Sequence, residues 1–336
     1  MSHDDYLWDA SGEPEPEVRR LEELLRPLRG PRAAPDFARL APPKARLSHP
    51  MPLPTLAAAA AVILALAATW GGLVRRDATW ELAWLEGPSG PLTRRDRLGV
   101  GEWLETGAQA RARLRVGAIG EVELEPRTRL RLLDTGGRAH RLALQRGVIH
   151  AWIWAPPGTF VVDTPSAIAV DLGCRYTLEV DAAGSGLLRV VSGWVGFEHQ
   201  GRESFVPAGA LCATRLGIGP GTPYYTESGA AFRAALEAVD FAPESGVRSA
   251  ALEQVLAEAQ PRDALSLWHL LGRLEGHARG LVFDRLAALV PPPLGVTRAG
   301  ILQGDRAMRD LWWNELGLGT AEFWRIWKGR WPPRAR

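Results

Sequence analysis

The sequence predicts an α+β protein of several domains, in which a single transmembrane helix precedes an all-β domain and a C-terminal α-helical domain. Three patterns predict this order: an uncharged apolar run at 53–74, alternation with a period of two over 79–216, and helical spacing of apolar residues over 228–330. A length of 336 residues suffices for two or three such domains. Apolar residues make up 46% and charged residues 23%, which excludes a wholly disordered chain and a polytopic membrane protein.

Charge and cysteine content exclude further classes of partner and site. The net charge is +2, so no global basic field favours direct contact with nucleic acid. Lys44 and Lys328 are the only lysines among 40 basic residues, and so uniform a use of arginine, typical of codon bias, makes an arginine cluster a weak indicator of phosphate binding. The two cysteines exclude a zinc ribbon, an iron–sulfur site and a disulfide scaffold.

Residues 1–50 are expected to form a short cytoplasmic tail with one amphipathic helix over 15–28, followed by a linker rich in Pro, Ala and Arg. Prolines and glutamates at 13–17 suit a helix N-terminus. The apolar residues of this helix recur on one face: Val18, Leu21, Leu24, Leu25 and Leu28. A helix this short is marginal alone, so the apolar face needs a partner. A cytosolic protein is the favoured partner; self-association and contact with the membrane surface are the alternatives.

The run at 53–74 contains 22 residues without a charge, which as a helix spans the hydrocarbon core of about 30 Å. A buried core helix of this length would carry a polar face, and a signal peptide would not follow about fifty polar residues. We therefore expect a transmembrane helix in the lipid bilayer. Arg32, Arg39, Lys44 and Arg46 precede the run, which favours a cytoplasmic N-terminus.

Residues 79–216 alternate as β-strands do, and many short strands predict either a sandwich or an elongated β-solenoid-like stack. One hairpin turns near residue 118 and pairs arginines with glutamates: Arg115 with Glu121, Arg113 with Glu123, and Arg111 with Glu125. Three opposite-charge pairs on one face define the register. Further strands are predicted at 130–132, 142–144, 148–154, 160–163, 167–172, 176–180, 187–191, 194–198 and 210–214.

Residues 228–330 change to helical spacing, and Pro291, Pro292 and Pro293 interrupt the series. The lengths of the predicted helix pairs suggest a small HEAT-like stack. Between the β and helical parts, Gly217, Gly219 and Gly221 alternate with residues that include Pro220, which predicts an interdomain linker.

Catalytic and metal-binding patterns are missing from the sequence. The seven histidines are scattered without metal-ligand spacing, and no nucleophile elbow or phosphate loop occurs. His140 and His150 are expected to be ordinary sheet residues, and a catalytic carboxylate pair among Asp163, Asp171 and Asp181 is disfavoured. We therefore expect no catalytic residue, no cofactor and no metal, and a protein that is not an enzyme.

Four stretches of the β region, taken in order, resemble the FecR family. The longest is 161–178, Val-Val-Asp-Thr-Pro followed by an apolar run and Gly-Cys-Arg-Tyr, where Cys174 and Tyr176 stand for the Thr and Phe usual in the family. The others are 144–148 (Leu-Gln-Arg-Gly-Val), 191–195 (Val-Ser-Gly-Trp-Val) and 206–209 (Val-Pro-Ala-Gly). Together they extend over about residues 98–215.

The resemblance implies a single-pass protein of the bacterial inner membrane. Such regulators have a cytoplasmic segment that binds an extracytoplasmic-function sigma factor, and a periplasmic FecR domain that receives a signal from a periplasmic or outer-membrane partner. Here Leu7, Trp8 and the tail helix are the candidates for sigma-factor binding. Residues 228–336 do not resemble the part of the family that meets a TonB-dependent transporter. The alternative is a membrane-anchored envelope scaffold or ligand-binding module whose tail serves only as an anchor.

A periplasmic location would also permit a disulfide between Cys174 and Cys212, the two cysteines of the chain. Their predicted strands could be neighbours, which would bring the Cα atoms within about 7 Å. The alternative is a pair of buried free thiols.

Overall fold

The computed structural model describes residues 16–25, 79–86, 97–136 and 140–318. The predicted transmembrane run at 53–74 lies outside these residues, as do Leu7, Trp8 and Leu28. No helix within the described ranges is both long enough and apolar enough to cross a membrane.

The chain divides into two compact units, Met1–Leu66 and Ala67–Arg336. In the first unit the described element is helix α1 (Pro16–Leu25), which confirms the central part of the predicted tail helix. The second unit begins with a large β-sheet region and continues into a helical segment, as the sequence predicts.

The β region forms two sheets that share one strand. The strands are β1 Thr79–Glu86, β2 Arg97–Gly99, β3 Trp103–Glu105, β4 Arg111–Val116, β5 Gly120–Leu124, β6 Arg129–Asp134, β7 His140–Ile153, β8 Phe160–Asp163, β9 Ile168–Asp171, β10 Arg175–Val180, β11 Gly186–Ser192, β12 Trp194–His199, β13 Arg202–Pro207, β14 Ala210–Arg215, β15 Gly219–Pro220 and β16 Tyr224–Tyr225. In the first sheet the order is β2-β1-β4-β5-β7-β10-β11-β14, and β15 and β16 both pair with β14. In the second sheet the order is β3-β6-β7-β8-β9-β12-β13.

The shared strand β7 changes sheets at Gly147. Residues 147–153 pair with β5 and β10 of the first sheet, whereas residues 140–146 pair with β6 and β8 of the second. Gly147 has φ of +97°, and a Cβ there would overlap Thr128, so only glycine fits this crossing. The sequence predicted two separate strands, at 142–144 and 148–154; the structure shows one strand of 14 residues that bends at Gly147.

The predicted β4–β5 hairpin is confirmed in register. Arg113 lies opposite Glu123 and Arg115 opposite Glu121, and the Arg111 guanidinium lies 2.8 Å from the Glu125 carboxylate. These groups are partly exposed, so each pair contributes only a few tenths of a kcal/mol and acts mainly on the register. The residues between the arginines are fully buried, which places the opposite face of the hairpin in the core.

One hydrophobic core joins the inner faces of the two sheets, as in a β-sandwich with a shared strand. Leu114 and Leu188 of the first sheet and Leu132 and Phe197 of the second are all fully buried in it. Strands β8 and β9 of the second sheet are buried on both faces, because Val161 and Val170 form a separate apolar cluster on the outer side. Because both sheets bury their inner faces in one core, the structure favours the predicted sandwich over the elongated β-solenoid-like stack.

The helical segment continues this core. Its helices are α2 Ala230–Phe241, α3 Ser245–Glu258, α4 Ala264–Arg273, α5 Gly276–Leu289, α6 Arg298–Leu302 and α7 Arg306–Glu315, with a 3₁₀ turn at Pro261–Asp263. The ring centroids of Trp194 on β12 and Trp313 on α7 are 5.7 Å apart, and Trp268 on α4 packs against Trp313 at 4.6 Å. The helices therefore pack against the second sheet and do not form a separate HEAT-like stack.

The expected linker at 217–223 is wrong. Gly219 and Pro220 form strand β15 against β14, and Thr222 is buried, with its backbone N–H donating to the Asp240 carboxylate of α2. Gly219 is required here because a Cβ would press against the His199 ring. The missing side chain at Gly219 therefore allows this segment to pack closely on His199 at the end of β12.

We predict that Gly193→Ala destabilises the protein far more than Gly217→Ala. Both glycines have positive φ, +73° and +79°, so either alanine costs about 1 kcal/mol of backbone strain. A Cβ at Gly193 would in addition overlap the Gly173 carbonyl oxygen, whereas Gly217 has open space around it. Urea unfolding should show at least about 2 kcal/mol more lost by Gly193→Ala. Equal losses of unfolding free energy in the two variants would contradict the close approach of Gly193 to the Gly173 carbonyl.

Candidate partner-binding surfaces

Helix α1 presents an apolar stripe to solvent. Leu21, Leu24 and Leu25 have exposed fractions of 58%, 70% and 52%, and Val18 is partly exposed one turn earlier. Spacings of three and four residues put these side chains on one face, and Arg19 lies on the opposite face. Three leucines exposed together on a ten-residue helix are the pattern of a segment that docks into a partner's groove.

A second exposed apolar patch lies on the outer face of the first sheet, at the end of β7. The inward residues Ile149, Ala151 and Ile153 turn the intervening side chains outward. Trp152 and Trp154 are therefore 54% and 59% exposed, and their rings meet edge to face at 6.3 Å. We call these two residues the tryptophan pair.

Charged residues lie on both sides of Trp152, and each has a partner within the sheet. The Arg175 guanidinium lies 4.9 Å from the centre of the Trp152 ring. On the other side, Arg113 forms ion pairs with Glu121 and Glu123. Rigid aromatic side chains within a polar rim are typical of residues that dominate binding energy at interfaces. A groove of about 330 Å³ runs along this face.

The histidines of β7 have structural partners. His150 contacts the Thr177 hydroxyl at 2.9 Å and the Glu125 carboxylate at 3.1 Å. The Trp80 indole N–H donates to His140 Nδ1 at 3.4 Å. Burial lowers the pKa of His140, which keeps the ring neutral. Both residues are sheet residues with local contacts.

The three aspartates singled out in the sequence are not brought together. Asp163 accepts a bidentate pair of hydrogen bonds from the Arg141 guanidinium at 2.8–3.1 Å. Asp181 accepts from the Ser185 backbone N–H within a hairpin turn. Each carboxylate has its own structural role, which agrees with the expectation that no catalytic pair forms.

Asp171 lies in a buried polar turn with Cys174. Its carboxylate accepts from the Gly173 N–H at 2.7 Å and from the Cys174 thiol at 2.6 Å. Burial raises the pKa of the Asp171 carboxyl to about 7, although both hydrogen bonds oppose the rise. Burial also raises the pKa of the Cys174 thiol well above its ordinary value, and the adjacent Asp171 adds to this. The reactive thiolate is therefore disfavoured.

The predicted disulfide is contradicted by the structure, in which Cys174 and Cys212 are buried free thiols. Cys212 lies opposite Leu188, and Leu188 lies opposite Leu178 on the next strand. Cys174 precedes Leu178 by four residues. Two strand spacings of about 4.8 Å and four rises of about 3.3 Å separate the Cα atoms by roughly 16 Å. A disulfide needs them within about 7 Å.

Residues 102–196 match the family model described as FecR protein. The match extends from the residue before β3 to the third residue of β12, and so includes the central strands of both sheets. Two glycines of the resembling stretches, Gly147 and Gly193, have positive φ, so the motifs mark obligatory bends. The FecR family that residues 102–196 match is non-enzymatic.

Two solved structures are also similar to part of the chain. Both are crystal structures of a candidate anti-sigma factor from Parabacteroides distasonis, at 1.65 and 2.50 Å resolution. Each is 13% identical with a TM-score of 0.33 and covers 41% of this chain. The chain spans 65% and 64% of the length of those two structures. The search of curated proteins finds no match to the sequence.

We predict that Asp171→Asn removes a pH dependence of stability between about pH 4 and pH 7. The raised pKa means that the folded protein binds this proton more tightly than the unfolded chain does. The contribution of Asp171 to stability is therefore complete below about pH 4 and is lost as the pH rises to about 7. Asparagine stays neutral, so the variant should gain up to about 4 kcal/mol relative to wild type over this range.

Urea unfolding at pH 4.5, 6 and 7.5 measures this difference. Asp181→Asn removes a carboxylate from an exposed turn and is the control. A difference between Asp171→Asn and wild type that stays constant with pH would show that Asp171 is ionised in the folded protein throughout.

Proposed function

We propose that this chain, whose residues 102–196 match the FecR family model, is a single-pass signalling regulator of the bacterial inner membrane. The run at 53–74 spans the bilayer, the N-terminal tail lies in the cytoplasm, and the β and helical parts lie in the periplasm. The length of the uncharged run and its basic N-terminal flank support this topology.

The cytoplasmic partner in this proposal is an extracytoplasmic-function sigma factor, and α1 is the element that binds it. The observation that carries the proposal is the exposed stripe of Leu21, Leu24 and Leu25 on a helix too short to be stable alone. Docking the stripe into a groove would bury the leucines and stabilise the helix at the same time. Leu7, Trp8 and Leu28 would extend the same contact on either side.

The second candidate function is a membrane-anchored module that binds a ligand or scaffold partner in the envelope. The tryptophan pair favours it, because two exposed tryptophans held edge to face form a ready contact surface on the FecR domain. In the signalling proposal the same surface receives the periplasmic or outer-membrane partner.

The proposed topology predicts which fusions of a periplasm-dependent enzyme are active. A fusion after Arg336 should be active and a fusion before Met1 inactive, because the basic flank at 32–46 stays in the cytoplasm. Activity of the N-terminal fusion alone would reverse the assignment of both compartments.

We predict that Leu21→Asp combined with Leu25→Asp weakens capture of the sigma factor at least tenfold, since two charges would have to be buried in the interface. The measurement is capture, by the full-length chain, of each extracytoplasmic-function sigma factor of the bacterium that makes this protein. Arg19→Asp is the matched control: it changes the net charge by the same two units on the opposite helix face and should bind as wild type does.

A parallel variant, Trp152→Ala with Trp154→Ala, separates the two functions. In the signalling proposal it leaves sigma-factor capture intact and impairs only the response to the envelope signal. If the leucine variant captures the sigma factor normally, α1 is not the contact surface, and the envelope-module function replaces the signalling one.

A further inference from the structure

A cleft of about 500 Å³ lies where the helical segment meets the second sheet. Its walls are the turn from β12 into β13, the end of α4, the start of α5 and the beginning of α7. Five arginines line it and two acidic residues oppose them: Arg202, Arg273, Arg279, Arg306 and Arg309 against Glu203 and Asp305. The cleft is outside the residues of the FecR match.

Three of these arginines hold the walls together. Arg273 and Arg202 share one carboxylate oxygen of Asp240, at 3.0 and 2.7 Å. Arg279 donates to the carbonyl oxygens of Leu274 and Leu302 and so joins α5 to α6. Two guanidinium groups share one carboxylate, and the third is bound only to neutral carbonyl groups. The wall therefore keeps a net positive charge.

Arg306 and Arg309, unlike the other three arginines, donate no side-chain hydrogen bond to the cleft walls among the described residues. They lie three residues apart on α7 and share a face. Neither guanidinium forms an ion pair with a carboxylate of the described residues. Arg309 lies 4.7 Å over the Trp268 ring, and its Nε is buried without a hydrogen-bond partner. Burial lowers the pKa of Arg309; Asp310 and Glu203 oppose this, and Arg306 and Arg279 add to it.

Two further polar residues of the cleft, His269 and Asp305, already have partners within the protein. His269 accepts from the Phe205 N–H at 3.1 Å and donates to the Leu265 carbonyl at 2.8 Å, so both ring nitrogens are used. Asp305 caps α7 by accepting from the Met308 N–H. The arginine richness of the whole chain explains how many arginines there are, but not their convergence from four elements on one cavity.

We propose that this cleft binds a small soluble anion carrying phosphate or carboxylate groups, with Arg306 and Arg309 as its direct ligands. The planar guanidinium matches the paired oxygens of both groups. A volume of about 500 Å³ is that of a small-molecule site. An anion there would bridge α7 and the β12–β13 turn and compensate the charge of Arg309. The proposal is independent of the signalling role.

The test uses full-length protein in a neutral detergent, with inorganic pyrophosphate and citrate as probes. We expect at least one probe to raise the unfolding midpoint saturably, at an ionic strength held constant with sodium chloride. Binding of pyrophosphate alone identifies a phosphate site, and binding of citrate alone a carboxylate site. No shift beyond that of chloride with either probe overturns the proposal.

Three single variants locate the site. Arg306 is exposed, and Arg306→Gln should raise the dissociation constant of the bound probe about tenfold or more. Arg189→Gln on β11 removes the same charge from the other sheet and should leave it unchanged. Gly272→Ala keeps every charge, but its Cβ would overlap Arg309 Nη1 and displace that side chain, so it should weaken binding severalfold. Equal binding by Arg306→Gln and Arg189→Gln overturns the proposal.

Discussion

The fold depends on one strand belonging to two sheets. Strand β7 can leave the first sheet and enter the second only if the backbone bends at Gly147, where φ is +97° and Thr128 occupies the space of a side chain. The Thr128 hydroxyl accepts from the Val148 N–H and donates to its carbonyl, both at 3.0 Å, which satisfies the backbone where the strand changes partners. Because both sheets take their register from β7, their inner faces must share one core.

The same constraint explains where the exposed features lie. Once Ile149 and Ala151 point inward, the pleat leaves Trp152 outward on the first sheet. On the second sheet, β8 and β9 are buried on both sides and Trp194 meets Trp313 of α7, so this half of the sheet is covered. The helical segment therefore covers part of the second sheet, whereas the outer face of the first sheet at the end of β7 stays exposed.

The sequence predicted the strands whose burial alternates, because side-chain periodicity reports directly on which face is inside. The Arg–Glu hairpin was predicted to the residue, since charges at fixed spacing define one register only. Strand β13 (Arg202–Pro207) was missed because its buried residues do not alternate and include Ser204 and Pro207, so they do not form the uninterrupted apolar run that marks β8. The segment at 217–223 was misread because Gly219 and Pro220 signal a loop, whereas here the missing side chain allows close packing on His199. Contacts of that kind join residues far apart in the chain.

The cleft lined by five arginines shows why composition alone is a poor guide to the role of an arginine. Frequent arginine made a cluster a poor indicator in the sequence, yet at Arg273 the residue type is required by geometry. Its guanidinium donates five hydrogen bonds, to Thr222, Asp240, Glu203, Ser204 and Gly221. A lysine has three donors on one atom and could not reach groups on both sides of the interface. Arg273 thus ties β13, the β15–α2 segment and α4 into one body. Arg273 also lines the cleft, together with Arg306 and Arg309 of α7.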